Sequence, residues 1–270
     1  LREPFLYQIS AWYIAAFLFA GMVAIWELFF RLGVQSRGRR KAMDDSEAIT
    51  LGSIDTAVGG LLALILAFSF SMASERFDMR ENVIIREANA VGTAFFRCSF
   101  LMPEEQAGCR SELARYARLR AEFFEVGHDR ERLQQVIEKS EDLHHALWAR
   151  VERSVPQRDT PSVAQLIVSL NELFDLNTER VGAQRRVVPQ EVTVVTILLC
   201  LAWSAFTGYA FGLTSNRQFG AWLGFAGLVT LVVLTTLDLD RPTRGFVRPV
   251  RGNSVMEEVA KQLEAESSAR

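Results

Sequence analysis

Four uncharged stretches, residues 5–26, 56–74, 192–216 and 218–237, are each long enough to cross a bilayer. A hydrocarbon core about 30 Å thick needs roughly 20 apolar residues as helix. Lipid offers backbone polar groups no partners, so such stretches must satisfy them internally, which a helix does. Between the two pairs lies residues 75–189, with 17 Lys or Arg against 19 Asp or Glu, too charged to sit in lipid. The expected fold is therefore all-α and integral to a membrane, with four transmembrane helices in two hairpins around a cytoplasmic helical bundle. The expected parts are a first transmembrane helix and loop (1–48), a second transmembrane helix (49–74), the bundle (75–189), a transmembrane hairpin (190–238) and a C-terminal tail (239–270).

Several charged and small residues inside or beside these stretches need an account. Glu27 and Arg31 stand four apart, the spacing at which opposite charges meet on a helix, and near the boundary they read as an anchor that snorkels toward water. Asp55 reads as an N-terminal cap or first-turn acid favoured by the helix dipole, with an ion-relay carboxylate as the alternative. Gly59 and Gly60 allow close backbone approach between helices. The first stretch lacks a small-residue cleavage site before a mature domain, so it is expected to be retained as a span. Basic residues flanking the spans number eleven on the side of the bundle and six on the other, which favours a cytoplasmic bundle in a bacterial inner membrane.

The segment 75–189 reads as helix throughout. Ile84, Ala88, Val91 and Phe95 form one apolar stripe, and Leu113, Tyr116, Leu119, Phe123 and Phe124 form a second after a fresh start at Pro103. Gly127 ends that helix and Asp129 caps the next, which carries Val136, Leu143, Leu147 and Val151. Pro156 and Pro161 mark a turn, Ser162 opens another helix, and a short amphipathic helix is expected near residues 255–266.

The residue types that carry catalysis are not arranged for it. There is no phosphate-binding glycine loop, no nucleophile elbow and no metalloprotease motif. His144 and His145 leave a helix about 100° apart and do not converge on one metal. Glu104, Glu105, Glu141 and Asp142 read as solvated helix surface. Cys98, Cys109 and Cys200 have neither zinc spacing nor an even disulfide framework and read as reduced structural thiols. A net charge of -2 gives no sign of a nucleic-acid partner, which would need a basic face. No enzyme, metal or cofactor is expected.

Residues 61–80, LLALILAFSFSMASERFDMR, carry a family resemblance. They are similar to the second membrane helix of bacterial bestrophins, in which an aliphatic residue precedes a Phe by four positions and an Arg-aromatic pair follows eight residues later. Leu64, Phe68, Arg76 and Phe77 occupy those positions. The stretches 86–94 (REANAVGTA) and 237–242 (LDLDRP) resemble a wider bestrophin-like group of bacterial and plant membrane proteins. Bestrophins are anion channels, so the resemblance implies an apolar pore neck at Gly60, Leu64 and Phe68, and Met72 continues the same helical stripe. It also implies a homo-oligomer, a pentamer by analogy, with a lipid bilayer and inorganic anions such as chloride as its other partners. Gly60 stands where a bulky neck residue is expected, Asp78 where bestrophins have a second Trp, and the acidic calcium clasp of animal bestrophins is missing.

A ring of such stripes around an axis would make an apolar constriction of the kind that gates by dewetting. Ser69, Ser71 and Ser74 would offer hydroxyls to a passing ion. Asp238, Asp240 and Arg241, at the end of the fourth span, read as a structural corner with a divalent-ion clasp as the alternative. The expected function is passive ion conduction, anions favoured. The rivals are a proton-channel subunit, which needs a partner chain and polar or proline-broken spans, and a membrane-anchored scaffold whose bundle recruits proteins.

Overall fold

The computed structural model describes residues 9–39, 45–123, 130–185, 187–214, 217–241 and 250–268, and every regular element among them is helical. In chain order these are α1 (Ala11–Arg39), α2 (Asp45–Arg97), a 3-10 turn (Cys98–Phe100), α3 (Pro103–Glu122), α4 (Arg130–Ser154), α5 (Pro161–Arg185), α6 (Gln190–Thr214), α7 (Phe219–Asp240) and α8 (Val250–Ser268). Helices α1, α2, α6 and α7 each contain a window long and apolar enough to cross a membrane. The expected features at Gly127, His128, Asp129, Pro242, Arg244 and Arg248 lie outside the described residues.

Helix starts follow local chemistry. Pro103 opens α3 with Glu104 and Glu105 in its first turn, where the helix dipole favours acids and a missing N–H costs nothing. At α5 the Val163 N–H donates to the Thr160 hydroxyl at 3.3 Å. Thr160 is thus the cap and Pro161 the first helical residue, one position before the expected opening at Ser162. Helix α2 begins at Asp45, ten residues ahead of Asp55. Asp55 therefore lies inside the helix rather than at its cap, and its carboxylate accepts a hydrogen bond of 2.8 Å from the Thr207 hydroxyl.

The chain divides into two compact units, Leu1–Glu75 with Val187–Arg241 and Arg76–Arg186 with Pro242–Arg270. In the first, Ile14, Leu18, Met22 and Trp26 recur every four residues along α1 and are buried, packing with Leu62, Leu66, Cys200, Trp222, Ala226 and Val233. The backbones of α1 and α6 approach closely. A Cβ added to Gly208 would lie 2.5 Å from the Trp26 carbonyl oxygen, and one added to Gly212 would strike Phe30 in the same way. Gly208 and Gly212, four apart, form a small-xxx-small contact of the kind that lets membrane helices meet through their backbones. By contrast, among the described residues of the single chain Gly59 faces only the Trp203 indole and Gly60 meets nothing within 4 Å, so neither makes a close backbone approach within the chain.

In the second unit the expected stripes meet in one core. Phe95, Leu113, Tyr116, Leu147, Leu166 and Leu170 are buried together, and α8 adds Met256 against Ile84 and Ala88, with Ala260 and Leu263 in the larger cluster. Cys98 and Cys109 are joined in a disulfide with Cα atoms 5.8 Å apart. This overturns the expectation of free thiols at these two positions; the eleven-residue separation is closed by the turn between α2 and α3, which no spacing rule signals. Cys200 is free and buried. Glu105 is also not solvated surface: it pairs with Arg150 at 2.8 Å and Arg153 at 2.6 Å. The Arg153 hydrogen bond leads in lowering its pKa to about 2.

Candidate functional site

Within the first unit, α2 has two unlike faces. Leu62, Leu66, Ser69 and Ala73, spaced four, three and four apart, are buried. About 130–170° around the same helix, Leu64 is 51% exposed and Phe68 61% exposed. Gly60 and Ser71 are exposed with them, and Met72 and Ser74 are half-buried. The stripe Gly60, Leu64, Phe68 is thus an apolar band that its own unit leaves uncovered. The hydroxyls do not act as one set. Ser69 sits on the packed face and donates to the Ile65 carbonyl at 2.7 Å, which satisfies it within its own helix.

The end of α7 forms a junction. The Asp240 carboxylate accepts the Val188 N–H at 2.7 Å, two residues before α6 begins, where a helix N-terminus leaves backbone donors unpaired. Arg241 donates to the Ile9 carbonyl just before α1. Asp238, Asp240 and Arg241 are all buried. A narrow, mostly apolar cleft beside this junction is lined by Leu66, Ser69, Thr193, Thr196, Thr236 and Asp240. Among the described residues no group of three or more His, Cys, Asp or Glu is placed to hold a metal ion.

Near the other end of α1, Glu27 pairs with Arg31 at 2.8 Å, as the four-residue spacing predicts, and also with Arg217 at 2.9 Å. Arg217 lies over the rings of Phe30 and Phe219, so the short connection between α6 and α7 is tied to α1 by charge and by aromatic contact.

A cluster that sequence reading missed lies in the second unit. The Glu87 carboxylate accepts hydrogen bonds from Tyr116 at 2.6 Å, Arg120 at 2.7 Å and Arg180 at 2.6 Å. Glu87 stands three residues after Ile84 and four before Val91, at the edge of the apolar stripe, and that position was the one signal in the sequence that it turns inward. The Gly208–Gly212 pair was legible in the sequence as a G-x-x-x-G motif within an apolar stretch.

These observations define a class first: an all-helical integral membrane protein whose second span carries one packed and one open apolar face. The chain belongs to the bestrophin-like family, since residues 16–250 match the Bestrophin-like domain. It is a membrane protein of that family and not an enzyme. Its fold is similar to that of a bacterial bestrophin homologue from Klebsiella pneumoniae, with TM-score 0.62, 14% identity, and coverage of 91% of this chain and 98% of that one. A point variant of such a homologue gives TM-score 0.68 at 13% identity over 96% and 99%. A variant described only as a membrane protein gives 0.70 at 12% identity over 94% and 98%. No curated protein matches the chain.

Proposed function

We propose that this protein is a homo-oligomeric ion channel, anion-conducting, in which α2 of each copy lines a central pore with its narrowest apolar ring at Leu64 and Phe68. The observation that carries the reading is the uncovered stripe Gly60, Leu64, Phe68, opposite a face held by Leu62 and Leu66. Copies related by rotation would bring these stripes around one axis, where an apolar neck excludes water unless it widens. Met72 continues the lining, and Ser71 and Ser74 offer hydroxyls beyond the neck, while Ser69 supports the helix from behind. Membership of the bestrophin-like family supports this reading, and the resemblance of residues 61–80 to the anion-conducting bestrophins supports a pentamer and anions.

Asp238, Asp240 and Arg241 are assigned to holding helix ends together. The charge count favours the cytoplasm for the helical unit, whereas the Cys98–Cys109 disulfide is of a kind found in oxidising compartments. Protease access to that unit in sealed vesicles of known sidedness decides between them. The function is tested with the purified protein alone in liposomes. Chloride flux above that of empty vesicles is expected; a correctly assembled oligomer that passes no ion would support the scaffold instead.

A further inference from the structure

The cluster around Glu87 has a surplus charge. Glu87 and Arg120 are wholly buried and Arg180 is 1% exposed, so two guanidinium cations share one carboxylate. Burial, reinforced by Glu87, pushes the Tyr116 phenol well above its ordinary range, and burial with the nearby Arg120 lowers His144 to about 4. Both are neutral at pH 7, which leaves one positive charge uncompensated among the described residues. An unpaired buried charge is strongly disfavoured.

The hydrogen bonds show where that charge is unmet. Arg120 gives its Nε to Glu87, while its Nη1 and Nη2 are buried with no acceptor among the described residues. Arg180 gives Nη1 to Glu87 and Nη2 to the Arg120 carbonyl, and its Nε likewise meets no acceptor among the described residues. The Phe123 ring covers both guanidinium groups, 4.5 Å from the Cζ of Arg120 and 4.9 Å from that of Arg180. A ring over the cation's face leaves the N–H edge, in the guanidinium plane, as the place for a further partner.

We propose that this Arg120 edge binds one small monovalent inorganic anion of halide size, held by residues of the second unit rather than by the Leu64 and Phe68 stripe. One surplus charge sets the valence, and a halide seated between Nη1 and Nη2 can accept one N–H from each. The anion would then be a structural partner of α2, α3 and α5, the helices that carry Glu87, Arg120 and Arg180.

The test uses the full-length protein. In crystals with bromide exchanged for chloride, an anomalous peak is expected within hydrogen-bonding distance of Arg120 Nη1 or Nη2. Bromide elsewhere with only water at Arg120 overturns the proposal. In detergent, replacing gluconate by chloride from about 1 to about 100 mM at constant ionic strength is expected to raise the melting temperature by at least ~3 °C. Arg120→Met leaves the balanced Arg180–Glu87 pair and abolishes that rise, and Glu87→Gln, with a surplus of two cations, enlarges it. An unchanged chloride shift in Arg120→Met overturns the proposal; if that variant does not fold, the bromide map of the wild type decides alone.

Discussion

Leu64 and Phe68 are more than half exposed in the single chain, so truncating them opens no cavity within the unit. Replacing both with Ala removes the bulk that closes the proposed neck. Ion flux is expected to rise several-fold while the melting temperature of the oligomer stays within a few degrees. A large loss of stability with unchanged flux would show that this stripe is packed between helices, where each truncation costs roughly 2–5 kcal/mol. His144 supplies a pH dependence. Its imidazole titrates near 6.5 when unfolded and near 4 when folded, because burial and Arg120 oppose the cation. Between those values the unfolded chain binds more protons, so stability falls as pH drops from about 6.5 to about 4, by roughly 3 kcal/mol at most. In His144→Asn, melts recorded across that window should show a flatter pH dependence than wild type.

At the scale of elements, the crossing of α1 and α6 depends on two missing side chains. Gly208→Val would drive a side chain into the Trp26 carbonyl and part the helices, costing roughly 1–3 kcal/mol or more. Gly224→Ala is the control, since a Cβ there meets nothing within 4 Å and the change favours helix. Detergent melts should separate the two variants clearly; equal behaviour would show that the close crossing is not what holds α1. The end of α7 is joined to the start of α6 by the Asp240–Val188 bond. Asp240→Asn weakens a charge-assisted acceptor and is expected to cost about 1–2 kcal/mol, equally with and without calcium. A calcium-dependent difference would instead favour the ion clasp. Helix α5 shows how far local signals reach: Pro161 and Thr160 mark its start to within one residue, because capping chemistry is local.

At the scale of the molecule, the second compact unit takes its core from residues distant in sequence. Met256, Ala260 and Leu263 of α8 pack with α2 and α3 residues, so residues 75–189 expressed alone should be poorly folded and aggregate. Joining residues 250–268 to that fragment should improve its solubility. A soluble, cooperatively melting 75–189 fragment would show that α8 is dispensable. The number and type of the membrane helices were determined by the sequence alone, because insertion depends on hydropathy summed over about 20 neighbouring residues. The rotation of those helices was not. Residues 57–73 are apolar or small almost throughout, so no period shows that Leu66 and Ser69 turn inward while Leu64 and Phe68 stay open. The Cys98–Cys109 bond, the pairing of Asp55 with Thr207 and the Glu87 cluster were likewise decided only by tertiary structure. Each depends on which groups meet across a turn or between separate helices, and burial then sets whether a charge is solvated, paired or left in surplus.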